Sequence, residues 1–107
     1  MKADVLAEQC GSRYYLSVVA NKWSMLIIHA IHKQGQARNG QLLRTVEGIS
    51  QKMLTQNLRN LEELGIVERE DMKTIPPHVE YRLTVKGAEL RGKLSGLIRW
   101  VEENFAN

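Results

Sequence analysis

The sequence predicts one mostly helical domain with a single β-hairpin, an α+β fold whose core is built by helices. Three observations predict it. Apolar residues recur at helical spacing along several stretches of the chain. Two short alternating stretches near residues 66–84 flank a Pro-Pro loop. The 107 residues, 43% apolar and 25% charged, leave room for one core and no second. No repeat, low-complexity tract or linker divides the chain, so a single domain is expected over 1–107.

Each element has its own signal. SRYYLSVV, Ser12 to Val19, is apolar enough for a first helix. In KWSMLIIHAIHK, Trp23, Leu26, Ile27, Ala30 and Ile31 stand at i, i+3, i+4, i+7 and i+8, the spacing of a helix with one buried side. The polar interval KQGQARNG reads as a turn with a short extended piece at Gln36 to Arg38. Asn39 is the expected N-cap of a short helix, GQLLRTVE, which Gly48 closes. Ser50 should cap the next helix through its hydroxyl, with Leu54, Leu58, Leu61 and Leu64 as the core stripe and Gly65 as the left-handed residue that ends it. IVERE and VEYRLT alternate apolar and polar residues and read as paired strands. DMKTIPPH between them reads as a loop, because Pro76 and Pro77 have no N–H for a ladder. Thr84 should cap a last helix in which Leu90, Leu94, Leu97, Ile98, Val101 and Phe105 recur over about six turns. A helix that long buries part of its stripe on its own core and leaves the rest for another chain.

Two short helices joined by the tight EGIS turn make a helix-turn-helix, and with the flanking helices and the hairpin the order is that of a winged helix. The charge pattern fits a nucleic-acid partner. Residues 36–60 hold Arg38, Arg44, Lys52 and Arg59 against Glu47 alone, while residues 61–71 hold Glu62, Glu63, Glu68, Glu70 and Asp71 against Arg69. The balance over the chain is +3, with a pI near 9.2. In a helix-turn-helix the second helix enters the major groove by its N-terminal turns, where a carboxylate would be repelled by phosphates. Ser50, Gln51, Lys52, Thr55, Gln56 and Arg59 are types that donate to base edges or phosphates, and Glu62 and Glu63 follow only roughly 15 Å along the helix. Lys73, His78 and Arg82 on the hairpin suit backbone or minor-groove contacts, and Arg38 is a further phosphate candidate. Plainer readings stand beside these: a polar helix face is commonly just solvated, and prolines also blunt a hairpin edge.

The residues resemble the HxlR-type bacterial transcription regulators, a winged helix-turn-helix family within a MarR-like superfamily. The resemblance is carried by Cys10 with Trp23 of KWSMLII thirteen residues on, by GISQKMLTQNLRNLEELGIVERE, and by IPPHVEYRLTVKG, spanning Cys10 to Gly87. It implies a repressor acting as a homodimer on a pseudo-palindromic operator in double-stranded DNA. The helix from Ser50 would lie in the major groove, and the hairpin Val67 to Leu83 would be the wing. The terminal helices would form the dimer interface, with Leu94, Leu97, Ile98, Val101 and Phe105. The chain departs from the family pattern at Gly11 after Cys10, at Ala20-Asn21 before Lys22-Trp23, and at Arg38-Asn39, where an aromatic is usual.

Some members of that family sense oxidants, quinones or other electrophiles through an N-terminal cysteine, and Cys10 matches that position. A helix N-terminus and Arg13 nearby would raise its reactivity; the alternative is a small thiol kept for packing. As the single cysteine it could pair only with another chain or a small thiol, or take an adduct. His29 and His32 stand at i, i+3, but their helix has no Cys, Asp or Glu to complete a shell, so neither metal nor cofactor is expected. Trp23 and Trp100 read as core or dimer packing, with a ligand pocket as the other option. No phosphate loop, serine elbow or carboxylate pair with a histidine points to an enzyme. No apolar run spans a bilayer and MKADVLAEQC lacks a secretory h-region, so a cytoplasmic protein is expected. The rival function is a winged helix that docks on another protein without specific DNA binding.

Overall fold

Ile27, Ile28 and Ile31, fully buried on one helix, are the centre around which the other elements pack. The computed structural model describes residues 5–105. The order is α1 (Gly11–Val19), α2 (Lys22–Gln34), α3 (Asn39–Thr45), α4 (Gln51–Glu63), β1 (Val67–Asp71), β2 (Val79–Leu83) and α5 (Val85–Phe105). The ends of the expected 1–107 domain, residues 1–4 and 106–107, lie outside the described residues. α2 packs against α1, α3, α4, α5 and β2, and its isoleucines meet Leu42 of α3, Leu54, Leu58 and Leu61 of α4, and Ile66 and Val67 at the start of the hairpin. This is the winged helix that the element order predicts.

Local chemistry explains the boundaries. Asn21 caps α2, its Oδ1 accepting from the N–H groups of Trp23 at 2.8 Å and Ser24 at 3.3 Å. α3 starts one residue earlier than expected, with Arg38 and not Asn39 at the N-cap. The cause is Gln41, whose Oε1 reaches back to accept from Arg38 N–H at 2.8 Å. The guanidinium of Arg38 has only donors and cannot complete the reciprocal bond. α4 begins as predicted, Ser50 Oγ accepting from Met53 N–H at 3.1 Å, and it ends at Leu64 with Gly65 at φ +75°.

β1 and β2 pair antiparallel, Val67 opposite Leu83, Glu68 opposite Arg82 and Glu70 opposite Glu80. The extended piece before α3 is real but minimal: Ala37 and Tyr81 exchange both backbone bonds at 2.8 Å, tying α3's approach to β2. Thr84 caps α5, accepting from Gly87 N–H at 3.0 Å, while its own hydroxyl donates to the carbonyls of Gly65 and Ile66.

Along α5, Leu90 and Leu94 pack against the core, and then the stripe runs out into solvent at Leu97, Trp100, Val101 and Phe105. Leu94, expected in a dimer interface, is half-buried against its own core. Ile98 is half-buried. α1 adds a second uncovered apolar set, Tyr14, Tyr15 and Leu16.

Candidate nucleic-acid interface

The side chains of α4 divide by helical phase. Leu54, Leu58 and Leu61 point into the core, and Gln51, Lys52, Thr55, Gln56 and Arg59 are all exposed on the opposite side, over an arc of roughly 140°. Ser50, exposed at the N-cap, has its Oγ engaged in the cap and presents the first backbone N–H groups beside that arc. Glu62 and Glu63 are exposed in the final turn, so no carboxylate stands on α4 before it.

Two bonds order part of this face: Gln51 Nε2 donates to Thr55 Oγ1 at 2.9 Å, and Gln56 Nε2 donates to Asn60 Oδ1 at 3.2 Å. Lys52 and Arg59 make no ion pair among the described residues. α4 contributes nothing to the large apolar side chains that the surface exposes, so the face offers donors and charge without an apolar docking patch.

Behind the face stands a feature that sequence reasoning missed. Asn57 is buried on α4, accepting at Oδ1 from Ser24 Oγ at 3.0 Å and donating from Nδ2 to Met53 O at 2.8 Å. The pair joins α2 to α4 inside the apolar core and adds a directional link to the leucine packing. Asn57 inside a leucine-rich helix was the available signal, since a polar residue at a core phase needs a partner.

The hairpin differs from its expected basic character. Arg82 is bound by Glu68 at 3.3 Å and by Glu70, and His78 Nε2 lies 2.7 Å from Glu80 Oε2. Cross-strand register brings Glu68 and Glu70 onto Arg82, which ties the Arg82 part of the sequence-predicted basic set into an ion-pair cluster within the hairpin. Lys73 at the tip remains exposed and without an ion pair, held at φ +56° with its N–H donating to Asp71 Oδ1 at 2.8 Å. Arg38 is exposed at the head of α3, on the same helix-turn-helix as α4.

Cys10 occupies the N-cap of α1, half-exposed, with no side-chain capping bond. Arg13, expected beside it, donates through Nη1 to the Leu6 carbonyl at 3.2 Å. His29 and His32 are not joined by further ligating groups, and no cluster of three His, Cys, Asp or Glu residues able to hold a metal forms among the described residues. No helix among them is long and apolar enough to cross a membrane. An open cavity of about 620 Å³ lies where α1, the end of α4 and α5 meet, floored by Tyr15, Val19, Leu64, Ile66 and Leu90. Neither tryptophan lines it. Trp23 packs on the core and Trp100 stacks edge-on with Phe105 at 5.5 Å.

Comparison with known proteins agrees with this geometry. The family model described as HxlR-like helix-turn-helix matches residues 18–107. The HTH-type transcriptional regulator YtfH of Escherichia coli is 40% identical over 104 residues, covering 97% of this chain and 82% of that protein. Among solved structures, YtfH from Salmonella typhimurium superposes with a TM-score of 0.88 at 40% identity, covering 96% of this chain and 91% of the other. The redox regulator HypR in its oxidized form gives a TM-score of 0.80 at 36% identity, with 89% and 97% covered. A match over this much of the chain, on a fold that exposes its second helix-turn-helix helix free of early carboxylates, places the protein in the HxlR-like helix-turn-helix family as a DNA-binding transcriptional regulator.

Proposed function

We propose that this regulator binds a pseudo-palindromic operator as a homodimer and represses transcription, reading bases with Gln51, Lys52, Thr55, Gln56 and Arg59 and steadying the complex with Ser50, Arg38, Lys73 and His78. The observation that carries it is the exposed face of α4, cationic and amide-bearing over its first three turns with no competing ion pair. The uncovered strips on α1 and α5 support the dimer, because a single protomer leaves Tyr14, Tyr15, Leu97, Trp100 and Phe105 in water. Two copies related by a two-fold axis would meet half-sites one helical turn apart or a multiple, roughly 34 Å or more. The chain acts in the cytoplasm by binding and not by turnover.

Selection of bound fragments from random duplex DNA tests this reading. A symmetric consensus, with affinity falling steeply as salt is added, is the expected result. An asymmetric or absent consensus removes the operator and dimer assignments together.

The signal is read as oxidative. Cys10 sits half-exposed at a helix N-cap with its sulfur unbonded, and a redox regulator is among the similar structures. Oxidation would join Cys10 to a partner's Cys10 or to a small thiol, and a quinone would add to it. Diamide or quinone treatment should release DNA from the parent and leave the Cys10→Ser variant bound. Equal release from both places the sensor elsewhere, with the cavity between α1, α4 and α5 as the next site to examine for a small-molecule effector.

A further inference from the structure

A second cavity, of about 220 Å³, opens between α2 and the turn that joins α3 to α4. Leu26, His29, Ala30 and Lys33 form its α2 wall at i, i+3, i+4 and i+7, one stripe of the helix, and Val46 and Glu47 line it from the turn. Ala30 and Val46 are buried and Leu26 adds an aliphatic edge, so the lining between the charged groups is apolar. A shallow hollow on a protein surface is ordinary by itself. The state of the polar groups around this one is not.

Lys33 and Glu47 line the same cavity with opposite charges, yet neither makes an ion pair among the described residues. His29, one turn before Lys33, has its Nδ1 buried without a hydrogen-bond partner. Such an atom has given up its water without a replacement, which a ligand group can supply. Lys33 and the guanidinium of Arg91 both act on His29, so the α2 wall is electropositive, and Glu47 supplies the negative charge on the side of the turn.

We infer that this cavity binds a free aliphatic amino acid, its carboxylate on Lys33 and His29 and its ammonium on Glu47. The space is smaller than the roughly 300–1,000 Å³ of pockets for drug-sized ligands, which limits the occupant to a small metabolite. A carboxylate alone would be repelled by Glu47 and an amine alone by Lys33, whereas a zwitterion satisfies both. In the tautomer with its proton on Nδ1, the His29 imidazole donates to the same carboxylate. The aliphatic side chain lies on Leu26, Ala30 and Val46, out of water.

A ligand held this way fastens the turn to α2. Glu47 stands three residues before Ser50, the cap of α4, and Ile49 N–H donates to Val46 O at 3.3 Å within the same turn. Occupancy favours the setting in which α4 presents its face, so amino acid and DNA tighten each other's binding. That coupling rests on α4 as the DNA-facing helix; the site itself does not.

Calorimetry on the full chain without DNA tests the site. The probes are L-leucine, 4-methylpentanoate, which lacks the ammonium, and 3-methylbutylamine, which lacks the carboxylate. The parent should bind L-leucine and lose roughly 10-fold or more in affinity for either analogue. Glu47→Gln should bind L-leucine no better than 4-methylpentanoate, and Lys33→Met no better than 3-methylbutylamine. Both positions are exposed, and circular dichroism confirms that the variants are folded. In gel shifts on a duplex recovered from the random pool, saturating L-leucine should tighten the parent roughly 5-fold or more and leave Glu47→Gln unchanged.

No heat of binding with L-leucine up to about 10 mM overturns the site. So does parental discrimination among the three compounds in both variants. L-leucine binding with unchanged DNA affinity overturns the coupling alone. If instead Lys52→Ala and Arg59→Ala bind DNA as the parent does, the α4 assignment falls and the calorimetric result stands.

Discussion

Ser24 of α2 and Asn57 of α4 hydrogen-bond at 3.0 Å in an otherwise apolar interior, with Ser24 wholly buried. Leucine packing alone leaves a helix free to slide or rotate by small steps, whereas this bond has a single geometry. Asn57→Ala should destabilise the protein by about 1–3 kcal/mol, because it leaves the Ser24 hydroxyl buried without its acceptor. Ser24→Ala combined with Asn57→Ala should cost less than the sum of the single changes. Denaturant titration at fixed protein concentration measures both, and additive costs would show that the pair is not coupled.

Gly87 lies so close to the start of the hairpin that a Cβ there would stand 2.1 Å from the Ile66 carbonyl oxygen. Backbone on both sides leaves nothing flexible to yield. Gly87→Ala should cost about 1–3 kcal/mol or more, by pushing α5 off β1. Gly92, with open space around it, gives the contrast: Gly92→Ala should raise stability by about 0.5–1 kcal/mol through helix propensity. Equal effects at the two positions in thermal melts would remove the packing explanation.

Lys52→Ala and Arg59→Ala should each weaken operator binding by about 1–3 kcal/mol where the lost contact is bidentate to a base. Glu62→Gln, one turn beyond, should change affinity little. Gel shifts over a salt series separate the roles, because loss of a phosphate contact reduces the salt slope and loss of a base contact alters the consensus. Unchanged binding in both cationic variants would move the reading face off α4.

Leu97→Asp combined with Val101→Asp should yield monomers, since both side chains sit on the exposed half of α5 and are free of the core. Static light scattering gives the mass directly. A mass still equal to two chains would make α1, through Tyr14, Tyr15 and Leu16, the next apolar surface to mutate.

His29 of α2 has its Nδ1 buried and unbonded, as is the Nε of Arg91 on α5, whose charge acts on it. Its pKa is lowered from 6.5, first by burial and then by Lys33, Arg91 and His32, with Glu102 opposing. The unfolded chain therefore takes up this proton at higher pH than the folded one. Stability from neutral His29 is fully present above pH 6.5 and declines as pH falls through the folded value. His29→Gln should flatten the drop in melting temperature between pH 7.5 and pH 5, on the order of one group's linkage. An unchanged profile would assign acid sensitivity to other groups.

Much of this was legible because it is local. Ser50 and Gly65 bound α4 through bonds and φ angles within four residues, and the leucine spacing assigned its buried side. The donor-rich face of Gln51, Lys52, Thr55, Gln56 and Arg59 follows from the same helical period, which is why its exposure could be anticipated. The start of α3 slipped by one residue because Gln41 and Arg38 compete with Asn39 for the cap, a contest among neighbours that composition does not resolve.

Other features depended on residues far apart in the chain. Arg82 looked like a free cation until the strand register set it against Glu68 and Glu70, whereas Lys73 at the tip makes no ion pair among the described residues. Leu94 looked like its neighbours on α5 until packing divided that helix between core and solvent.

By itself the sequence determined the elements, the caps at Ser50, Gly65 and Thr84 and the side of α4 that faces outward, because periodicity and capping act over a few residues. Only the tertiary structure decided which charges neutralise one another, which polar groups are locked inside and which apolar side chains stay uncovered. Those outcomes are set by distances across the fold, where Coulomb attraction and burial act on neighbours in space and not in sequence.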